Sequence, residues 1–404
     1  MLYTAEHICY LVMVTPDNHN KYYRMVPNVP SAGNFTAEYG RVGASSMKHV
    51  YPMSEFNKIY DSKIRKGYSD QSDLHECVVS TITDNKYGAI EDVTVQLLVD
   101  QLMSYQDKKL KASYTISHKD VTPKMIRKAR QCIALLSDAS VSAFNTGLIE
   151  LFSALPRRMD KVENYLANSK ADFSEIVERE SDLLDIMAAK VSNMEKNMLP
   201  DVPKNTSGKS TILEALGLEI RPCTDSEAAM IQEHLDPDTR SKFDKTFYIK
   251  NIETEKRYNK YMKEHGIKKS RFFYHGSRNE NWWGIATQGL KLNPTAVTNG
   301  KMFGYGLYFA PLAKKSCGYV SLSGSGWAHG TDNTGFLAVY KVAYKNPLDA
   351  YSYENRFGKF DKKDIASLGK DSLFAHKGTM LYNDELIIYN ESQCTIRYLI
   401  QLKK

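Results

Sequence analysis

Three short motifs in the last third of this 404-residue chain each place one polar side chain among glycines or apolar residues. They occupy residues 274–278 (YHGSR), 303–310 (FGYGLYFA) and 383–389 (NDELIIY). Gly276 and Ser277 follow a predicted strand and offer a backbone N–H, a backbone C=O and a hydroxyl, which is a set that matches a carboxamide. The motifs therefore predict a cleft that binds a flat ring bearing an amide.

Two tyrosines and one carboxylate extend this set. Tyr308 and Tyr319 supply two aromatic faces, which favour a pyridinium ring by stacking and cation–π attraction. Glu385 opens a run that predicts a buried strand, where a carboxylate is costly unless it is hydrogen-bonded or faces developing positive charge. Cleavage of the nicotinamide–ribose bond of NAD generates such a charge, because the sugar passes through an oxocarbenium-like transition state. We therefore expect NAD chemistry centred on Glu385.

The three motifs resemble the His-Tyr-Glu signature of the poly(ADP-ribose) polymerases, and the similarity extends with lower specificity over nearly the whole chain. The resemblance implies NAD as substrate and no metal or second cofactor. It gives catalytic roles to Glu385, His275 and Tyr308, with His275 bonding the adenosine ribose and Glu385 bonding the nicotinamide ribose and orienting the acceptor. The NAD-binding residues that it implies are Gly276 and Ser277 at the amide, Tyr308 and Tyr319 on the ring, Ser316 near the amide, and Asn281.

Three positions depart from the family pattern. Lys301 stands where a second aromatic ring is usual over the nicotinamide ribose, and Tyr305 stands where a lysine is frequent between the two glycines. One residue is inserted between Tyr382 and Glu385. None of these changes removes a signature residue. A single His, Tyr or Glu is more often structural than catalytic, so the assignment depends on all three occurring together in family order.

The elements that must position these residues lie in the region 211–404, where strand patterns dominate. Predicted strands cover 216–220, 271–274, 336–343, 385–389 and 395–402. We expect the last two to pair as an antiparallel hairpin. The pattern predicts a mixed α+β domain without a Rossmann fingerprint, and the resemblance makes it the ADP-ribosyltransferase catalytic domain of a multidomain α+β protein.

Residues 1–80 predict a small sheet followed by one helix. The predicted strands cover 8–14, 21–27 and 35–43, and the helix is expected to have Ser54 as its cap and Gly67 at its end. Residues 38–43 (EYGRVG) resemble the motif of the WGR domain, with Tyr39 in place of tryptophan.

That resemblance implies a domain that binds DNA ends. Arg41 is the residue expected at the DNA or interdomain contact, and Lys63, Arg65 and Lys66 are expected to contact phosphates. The alternative is a solvated cluster, because residues 1–70 contain eight Lys and Arg against six Asp and Glu. Both interpretations stay open from the sequence.

Residues 92–200 predict an all-helical region. Thr122 and Pro123 are typical of a helix start, and apolar stripes recur at helical spacing up to residue 191. The family has an inhibitory helical domain at this place, and Asp185 matches a polar residue that faces the NAD cleft there. We expect a linker at 197–210, which contains two prolines and a glycine among polar residues.

Length and composition agree with this organisation. A chain of 404 residues with 42% hydrophobic residues is long enough for more than one core. The net charge of +7 permits contact with polyanions without requiring it. The six cysteines show no zinc-like spacing and predict free thiols of a reducing compartment. No cleavable signal is evident at Met1 and no apolar run is long enough for a membrane span, so we expect an intracellular protein, nuclear in a eukaryote or cytoplasmic in a bacterium. We also expect a monomer.

The function expected from the resemblance is a poly(ADP-ribose) polymerase that is stimulated by DNA strand breaks and modifies protein acceptors, including itself. One alternative is a mono-ADP-ribosyltransferase, which shares the NAD-binding residues and differs in the acceptor loop at 380–384. The other is an inactive DNA-binding scaffold, which would release no nicotinamide. The signature residues argue against the scaffold, since none of the three is lost.

Overall fold

The computed structural model describes residues 8–28, 33–75, 87–114, 121–197, 210–292, 302–378 and 381–404. The chain forms two compact units. The first contains the described parts of 1–83 and 109–191, and the second contains those of 84–108, 192–293 and 299–404. The division into domains at 1–80, 92–200 and 211–404 stays a prediction.

A five-stranded antiparallel sheet belongs to the first unit. Its strands are β1 (Cys9–Thr15), β2 (His19–Pro27), β3 (Asn34–Arg41), β4 (Met47–Pro52) and β5 (Ser69–Asp70), in the spatial order β4-β3-β2-β1-β5. The first three confirm the predicted strands. Strand β4 was not predicted, because nearly all of its side chains are exposed and no apolar alternation marks it.

Helix α1 (Phe56–Arg65) lies between β4 and β5 in the chain. The expected Ser54 cap is wrong, because Ser54 lies inside a preceding 3-10 turn (Met53–Glu55) and the residue before the helix is Glu55. The expected end is confirmed. Gly67 has a φ of +88°, a left-handed conformation that only glycine adopts without strain.

Four long helices cover the predicted helical region. They are α2 (Val93–Ser113), α3 (Pro123–Ala134), α4 (Val141–Ala154) and α5 (Phe173–Asn197). The predicted start of α3 is confirmed, because the Thr122 hydroxyl accepts a hydrogen bond from the Met125 N–H and proline follows the cap. The apolar stripes of α3, α4 and α5 form most of one apolar core of the first unit, which includes a parallel stack of Phe144 on Phe173.

The second unit contains two sheets. The first has the order β6-β7-β14-β10-β8 and is antiparallel throughout. The second has the order β11-β12-β13-β9, with β11 and β12 parallel. The strands are β6 (Leu218–Pro222), β7 (Phe243–Asn251), β8 (Arg271–Gly276), β9 (Leu307–Phe309), β10 (Thr334–Val342), β11 (Pro347–Ala350), β12 (Ser372–Ala375), β13 (Glu385–Ile388) and β14 (Cys394–Lys403).

The predicted hairpin between the last two strands is wrong. Strand β13 pairs with β12 and β9, whereas β14 pairs with β10 and β7 in the other sheet. All four residues of β13 are buried, as expected for an inner strand with a neighbour on each side. A short connection therefore joins inner strands of two different sheets, which periodicity alone does not distinguish from a hairpin.

Seven helices complete the described part of the second unit. They are α6 (Ile212–Leu216), α7 (Asp225–Glu233), α8 (Pro237–Arg240), α9 (Ile252–Glu264), α10 (Trp282–Gln288), α11 (Ala313–Cys317) and α12 (Lys362–Ser367). The strand predicted at 216–220 begins at Leu218, because Gly217 ends α6 with a φ of +64°. None of the helices in the described ranges has the length and apolar composition that crossing a membrane requires.

The core of the second unit extends beyond its sheets. Trp282 and Trp283 of α10 are fully buried within it. Val95, Leu98, Val99 and Leu102 from the first half of α2 belong to the same apolar cluster. Residues that lie within the predicted helical region therefore help to stabilise the fold of the predicted catalytic domain.

Candidate active site

The two sheets of the second unit meet where β8 passes β9. Tyr274 of β8 and Ala310, the residue after β9, exchange two backbone hydrogen bonds, of 2.8 and 2.9 Å. One residue further along, the Nδ1 atom of His275 donates to the Tyr308 carbonyl oxygen at 3.0 Å. This bond fixes the orientation of the imidazole, and in the neutral ring it makes Nε2 the acceptor. Two of the three signature residues are thereby in direct contact.

Gly276 ends β8 against the backbone of α11. A Cβ atom at this position would lie 1.9 Å from the carbonyl oxygen of Ser316, so no larger residue fits without a backbone shift. Ser316 is buried, with 4% of its surface exposed. The predicted carboxamide contacts at Gly276 and the predicted hydroxyl at Ser316 are therefore neighbours.

Ser277 is held by two residues that follow it in the chain. The Asn281 amide donates to the Ser277 hydroxyl oxygen at 3.0 Å, and the Trp282 indole N–H donates to the Ser277 carbonyl at 3.2 Å. The first bond occupies an acceptor site of the hydroxyl and leaves its own hydrogen to donate. The amide oxygen of Asn281 is buried and accepts no hydrogen bond from the described residues, so it is a candidate acceptor for a ligand N–H.

The Tyr308 phenol is fixed by the glycine-rich motif that precedes it. Its O–H donates to the Gly304 carbonyl at 2.9 Å and accepts from the Phe303 N–H at 3.1 Å. Burial, followed by the nearby Tyr389 phenol, raises the pKa of Tyr308 well above its usual range. Tyr308 is thus a neutral ring with a fixed edge. Tyr305, the departure within this motif, donates its backbone N–H to the Phe360 carbonyl at 2.7 Å.

Glu385 begins β13 as a nearly buried carboxylate, with 9% of the residue exposed. It forms an ion pair with the ammonium group of Lys315 on α11, whose side chain is also largely buried. A buried carboxylate needs such compensation. The next residue on α11 is Ser316, whose carbonyl faces Gly276, so this short helix connects the carboxylate to the predicted carboxamide site.

Tyr319 follows α11 and has 42% of its surface exposed. Its ring lies parallel to the Trp327 indole, with 6.4 Å between the ring centroids and 15° between the planes. The structure thus gathers the three signature residues and those predicted around them in one unit, on β8, β9, α11 and β13 and in the segments that follow β8 and α11. Both sheets contribute to this cluster.

Comparison with known proteins supports the same assignment. Residues 226–404 match the poly(ADP-ribose) polymerase catalytic domain. A putative poly(ADP-ribose) polymerase-like protein of Invertebrate iridescent virus 6 is 32% identical over 167 residues, which cover 40% of this chain and 86% of the relative. The chain belongs to the poly(ADP-ribose) polymerase family. It is an NAD+ ADP-ribosyltransferase with an α+β catalytic domain, and NAD+ is its substrate.

Two further relatives show similar levels of identity. An uncharacterized protein of the same virus is 30% identical over 197 residues, which cover 48% of this chain and 80% of the relative. Poly(ADP-ribose) polymerase 2 of Arabidopsis thaliana is 34% identical over 155 residues, covering 32% of this chain and 23% of the plant protein.

The sequence analysis missed one residue of this candidate site, Lys315, which pairs with Glu385. It is the second of two adjacent lysines on α11, and the first, Lys314, pairs with Asp238 in an exposed ion pair. Two neighbouring lysines on a short helix carry no pattern that tells which one is buried. Lys301 and Met380, which the sequence analysis also considered, lie outside the described residues.

The residues predicted to contact DNA lie in the first unit. The Arg41 guanidinium donates to the carbonyl and side-chain oxygens of Asn18 at 2.9 and 2.8 Å, and to the carbonyl of Asp160 at 2.7 Å. It therefore joins the sheet to the segment that follows α4. Lys63 lies 3.8 Å above the Tyr23 ring, and burial lowers the pKa of its ammonium group.

Arg65 and Lys66 are exposed at the end of α1. Asp185, by contrast, takes part in a contact between two helices. Asp185 on α5 forms a 2.8 Å ion pair with Arg130 on α3. No group of three His, Cys, Asp or Glu side chains in the described ranges is arranged to bind a metal ion, and the five described cysteines form no disulfide. The regulatory role of Asp185 and the phosphate contacts stay predictions.

Proposed function

We propose that this enzyme is a poly(ADP-ribose) polymerase that transfers ADP-ribose from NAD+ to protein acceptors, including itself, and to the growing polymer. The observation that carries the proposal is the ion pair between Glu385 on β13 and Lys315 on α11. The next residue on α11 is Ser316, and Gly276 can lie against its carbonyl only because it has no Cβ atom. A carboxylate is thereby close to the narrow corner at which we propose that the nicotinamide amide binds. This is the arrangement that cleavage of a nicotinamide–ribose bond requires.

We propose that the nicotinamide amide binds at Gly276, Ser277 and Ser316, and that the ring lies between Tyr308 and Tyr319. The Ser277 hydroxyl supports this role, because Asn281 occupies one of its acceptor sites and favours donation to the amide oxygen. The unsatisfied amide oxygen of Asn281 supports a ligand nearby. His275 would accept a hydrogen bond from the adenosine ribose through Nε2, since Nδ1 already donates to Tyr308.

The proposed reaction breaks one bond and forms one. The C1′–N bond of NAD+ breaks, and its electron pair leaves with nicotinamide, which becomes neutral. The Glu385 carboxylate stabilises the positive charge that develops on the ribose. The acceptor oxygen then bonds to C1′ and loses its proton, which Glu385 is positioned to accept. Lys315 orients this carboxylate before substrate binds, and its ammonium group neutralises the carboxylate charge in the ion pair.

The test is a Glu385→Gln variant assayed with radiolabelled NAD+ on a gel. Glutamine preserves the size of the side chain and removes its charge, so we expect chain growth to fall at least about 100-fold while NAD+ affinity changes little. Glu219→Gln is the matched control, because Glu219 forms an ion pair with Lys250 on a different sheet edge. Undiminished polymer from the Glu385→Gln variant would refute the role of the carboxylate. If the wild-type enzyme carries only single ADP-ribose units, it is a mono-ADP-ribosyltransferase.

We further propose that DNA strand breaks stimulate this activity through the first unit. Two observations support this proposal. Arg65 and Lys66 are exposed at the end of α1, and the Arg41 side chain is hydrogen-bonded to the segment after α4. Phosphates would contact the exposed pair, and Arg41 would transmit the event to the helices. Lys63 is a weaker candidate for a phosphate contact, because its ammonium group is engaged with Tyr23.

A double charge reversal tests this proposal. Arg65→Glu with Lys66→Glu should weaken binding to nicked duplex at least about tenfold and reduce its salt dependence, since phosphate contacts release counterions. Basal activity without DNA should stay unchanged. The matched control is Lys362→Glu with Lys363→Glu on α12 of the second unit, where both side chains are at least partly exposed. Equal DNA binding by the two double variants would remove the proposed contact.

A further inference from the structure

The connection between α11 and β10 carries an exposed tryptophan. Trp327 has 70% of its surface exposed, whereas the other two tryptophans of the chain, Trp282 and Trp283, are at most 1% exposed. This large exposed aromatic side chain lies eight residues after Tyr319, one of the predicted NAD-binding residues.

The backbone of this loop is fixed close to α11. The N–H groups of Trp327 and Ala328 both donate to the Gly318 carbonyl at 2.9 Å. Gly318 has no Cβ, and one built there would lie 2.7 Å from the indole Cδ1 atom. The glycine therefore allows the indole to approach the end of α11 closely.

The far end of the loop is held by a buried asparagine. Asn279 is fully buried. Its side-chain amide donates to the Asp332 carboxylate at 2.8 Å, and its backbone N–H donates to the Ser321 hydroxyl at 2.9 Å. Asp332 and Ser323 also share a 2.8 Å backbone bond. Asn279 comes two residues after Ser277, so the loop is connected to the segment that forms the predicted amide site.

The indole lies parallel to the ring of Tyr319, offset by 6.4 Å between centroids, which is a favourable aromatic arrangement. Tyr319 is itself 42% exposed, so the orientation of its ring depends on neighbours at the protein surface. We propose that Trp327 is a positioning residue, which holds the Tyr319 ring in the orientation that stacks on the nicotinamide of NAD+. This inference rests on the proposed role of Tyr319.

Steady-state kinetics with the full chain test this proposal. Trp327→Ala should raise the KM for NAD+ about two- to tenfold, the range that corresponds to an aromatic pair, and should leave kcat within about twofold. Trp327→Phe should restore most of the affinity, because a flat ring is retained. Met230→Ala on α7, which removes another exposed apolar side chain, is the control and should match the unmodified enzyme.

Tryptophan fluorescence distinguishes a positioning role of Trp327 from a purely structural one, because only a positioning role makes its emission respond to nicotinamide. The difference between the emission of the unmodified enzyme and that of Trp327→Phe isolates the Trp327 signal, since the other two tryptophans are common to both. Adding nicotinamide should change this difference spectrum with the same concentration dependence as inhibition by nicotinamide. A difference spectrum that does not respond would overturn the proposal.

The Tyr319→Ala variant separates failure of this inference from failure of the proposed function. If the two residues act together, Tyr319→Ala should raise KM at least as much as Trp327→Ala, and the double variant should be no worse than Tyr319→Ala alone. A raised KM in Tyr319→Ala with an unchanged KM in Trp327→Ala overturns the role of Trp327 only. An unchanged KM in Tyr319→Ala overturns the role of Tyr319 itself, and the inference with it.

Discussion

At the scale of single residues, two adjacent lysines of the candidate site differ in their exposure to solvent. Lys314 is exposed, whereas Lys315 is largely buried against Glu385. The contribution of a lysine charge to stability depends on whether the side chain is buried. An exposed ion pair contributes little, but a buried lysine compensates a carboxylate that would otherwise be costly in this environment.

Gly276→Ala is the sharpest residue-scale prediction. The added methyl group would lie 1.9 Å from the Ser316 carbonyl, so β8 and α11 must separate. We expect a loss of about 1–3 kcal/mol of unfolding free energy and at least a tenfold rise in the KM for NAD+. Calorimetry and nicotinamide release measure the two effects. Gly33→Ala is the control, since a Cβ there meets no atom within 4 Å, and a Gly276→Ala protein that behaves like it would contradict the steric argument.

At the scale of elements, the shortest ones organise the site. Helix α11 has five residues, yet it carries Lys315 and Ser316 and leads into Tyr319. Strand β9 has three residues, and it holds Tyr308 between His275 and β13. Such short elements are stabilised by tertiary packing rather than by their own propensity.

A pH-dependent prediction belongs to the segment that packs on β1. The His75 ring stacks on Tyr10, with 3.8 Å between centroids, and burial followed by the charge of Arg24 lowers the pKa of His75 from 6.5 to about 4. Between these two pKa values the unfolded chain therefore binds a proton that the folded chain excludes. The stability of the first unit should fall as pH falls through this window.

His75→Phe retains a ring on Tyr10 and removes the titration. The Tm of the unmodified protein should drop by a few degrees more than that of His75→Phe when pH falls from about 6.5 to about 4, as measured by scanning calorimetry. Above this window the difference between the two proteins should be constant. Parallel Tm curves across the whole range would show that His75 is not responsible.

At the scale of the whole molecule, the predicted regulatory region and the predicted catalytic domain share helix α2. Removing residues 92–200 would take Val95, Leu98, Val99 and Leu102 out of the core of the second unit. That deletion would damage the catalytic fold, so it cannot test whether the helices inhibit the enzyme. A substitution confined to the first unit is the better test.

Phe144→Leu is such a substitution. It removes the stack on Phe173 within the helical core and should cost about 1–2 kcal/mol. If the helices restrain the NAD site, as the family resemblance implies, basal ADP-ribosylation without DNA should rise severalfold. Phe35→Leu in the core of the N-terminal sheet is the matched control and should leave basal activity unchanged. Equal basal activity in both variants would contradict inhibition by the helices.

The sequence alone determined the features that depend on local chemistry and periodicity. It predicted the first three strands, the Thr122 cap, the glycine end of α1 and the helices of the first unit, because each has a repeating apolar pattern or a turn residue of its own. It also predicted His275, Tyr308 and Glu385 as site residues, since their motifs are short and continuous in the chain.

Only the tertiary structure decided which strands pair and which charges are buried. The connection from β13 to β14 has the pattern of a hairpin, but both are inner strands and each needs two neighbours from elsewhere in the chain. Lys315 and Trp327 acquire their partners Glu385 and Tyr319 through the packing of α11 and its following loop. These contacts depend on long-range packing, and no local sequence pattern records it.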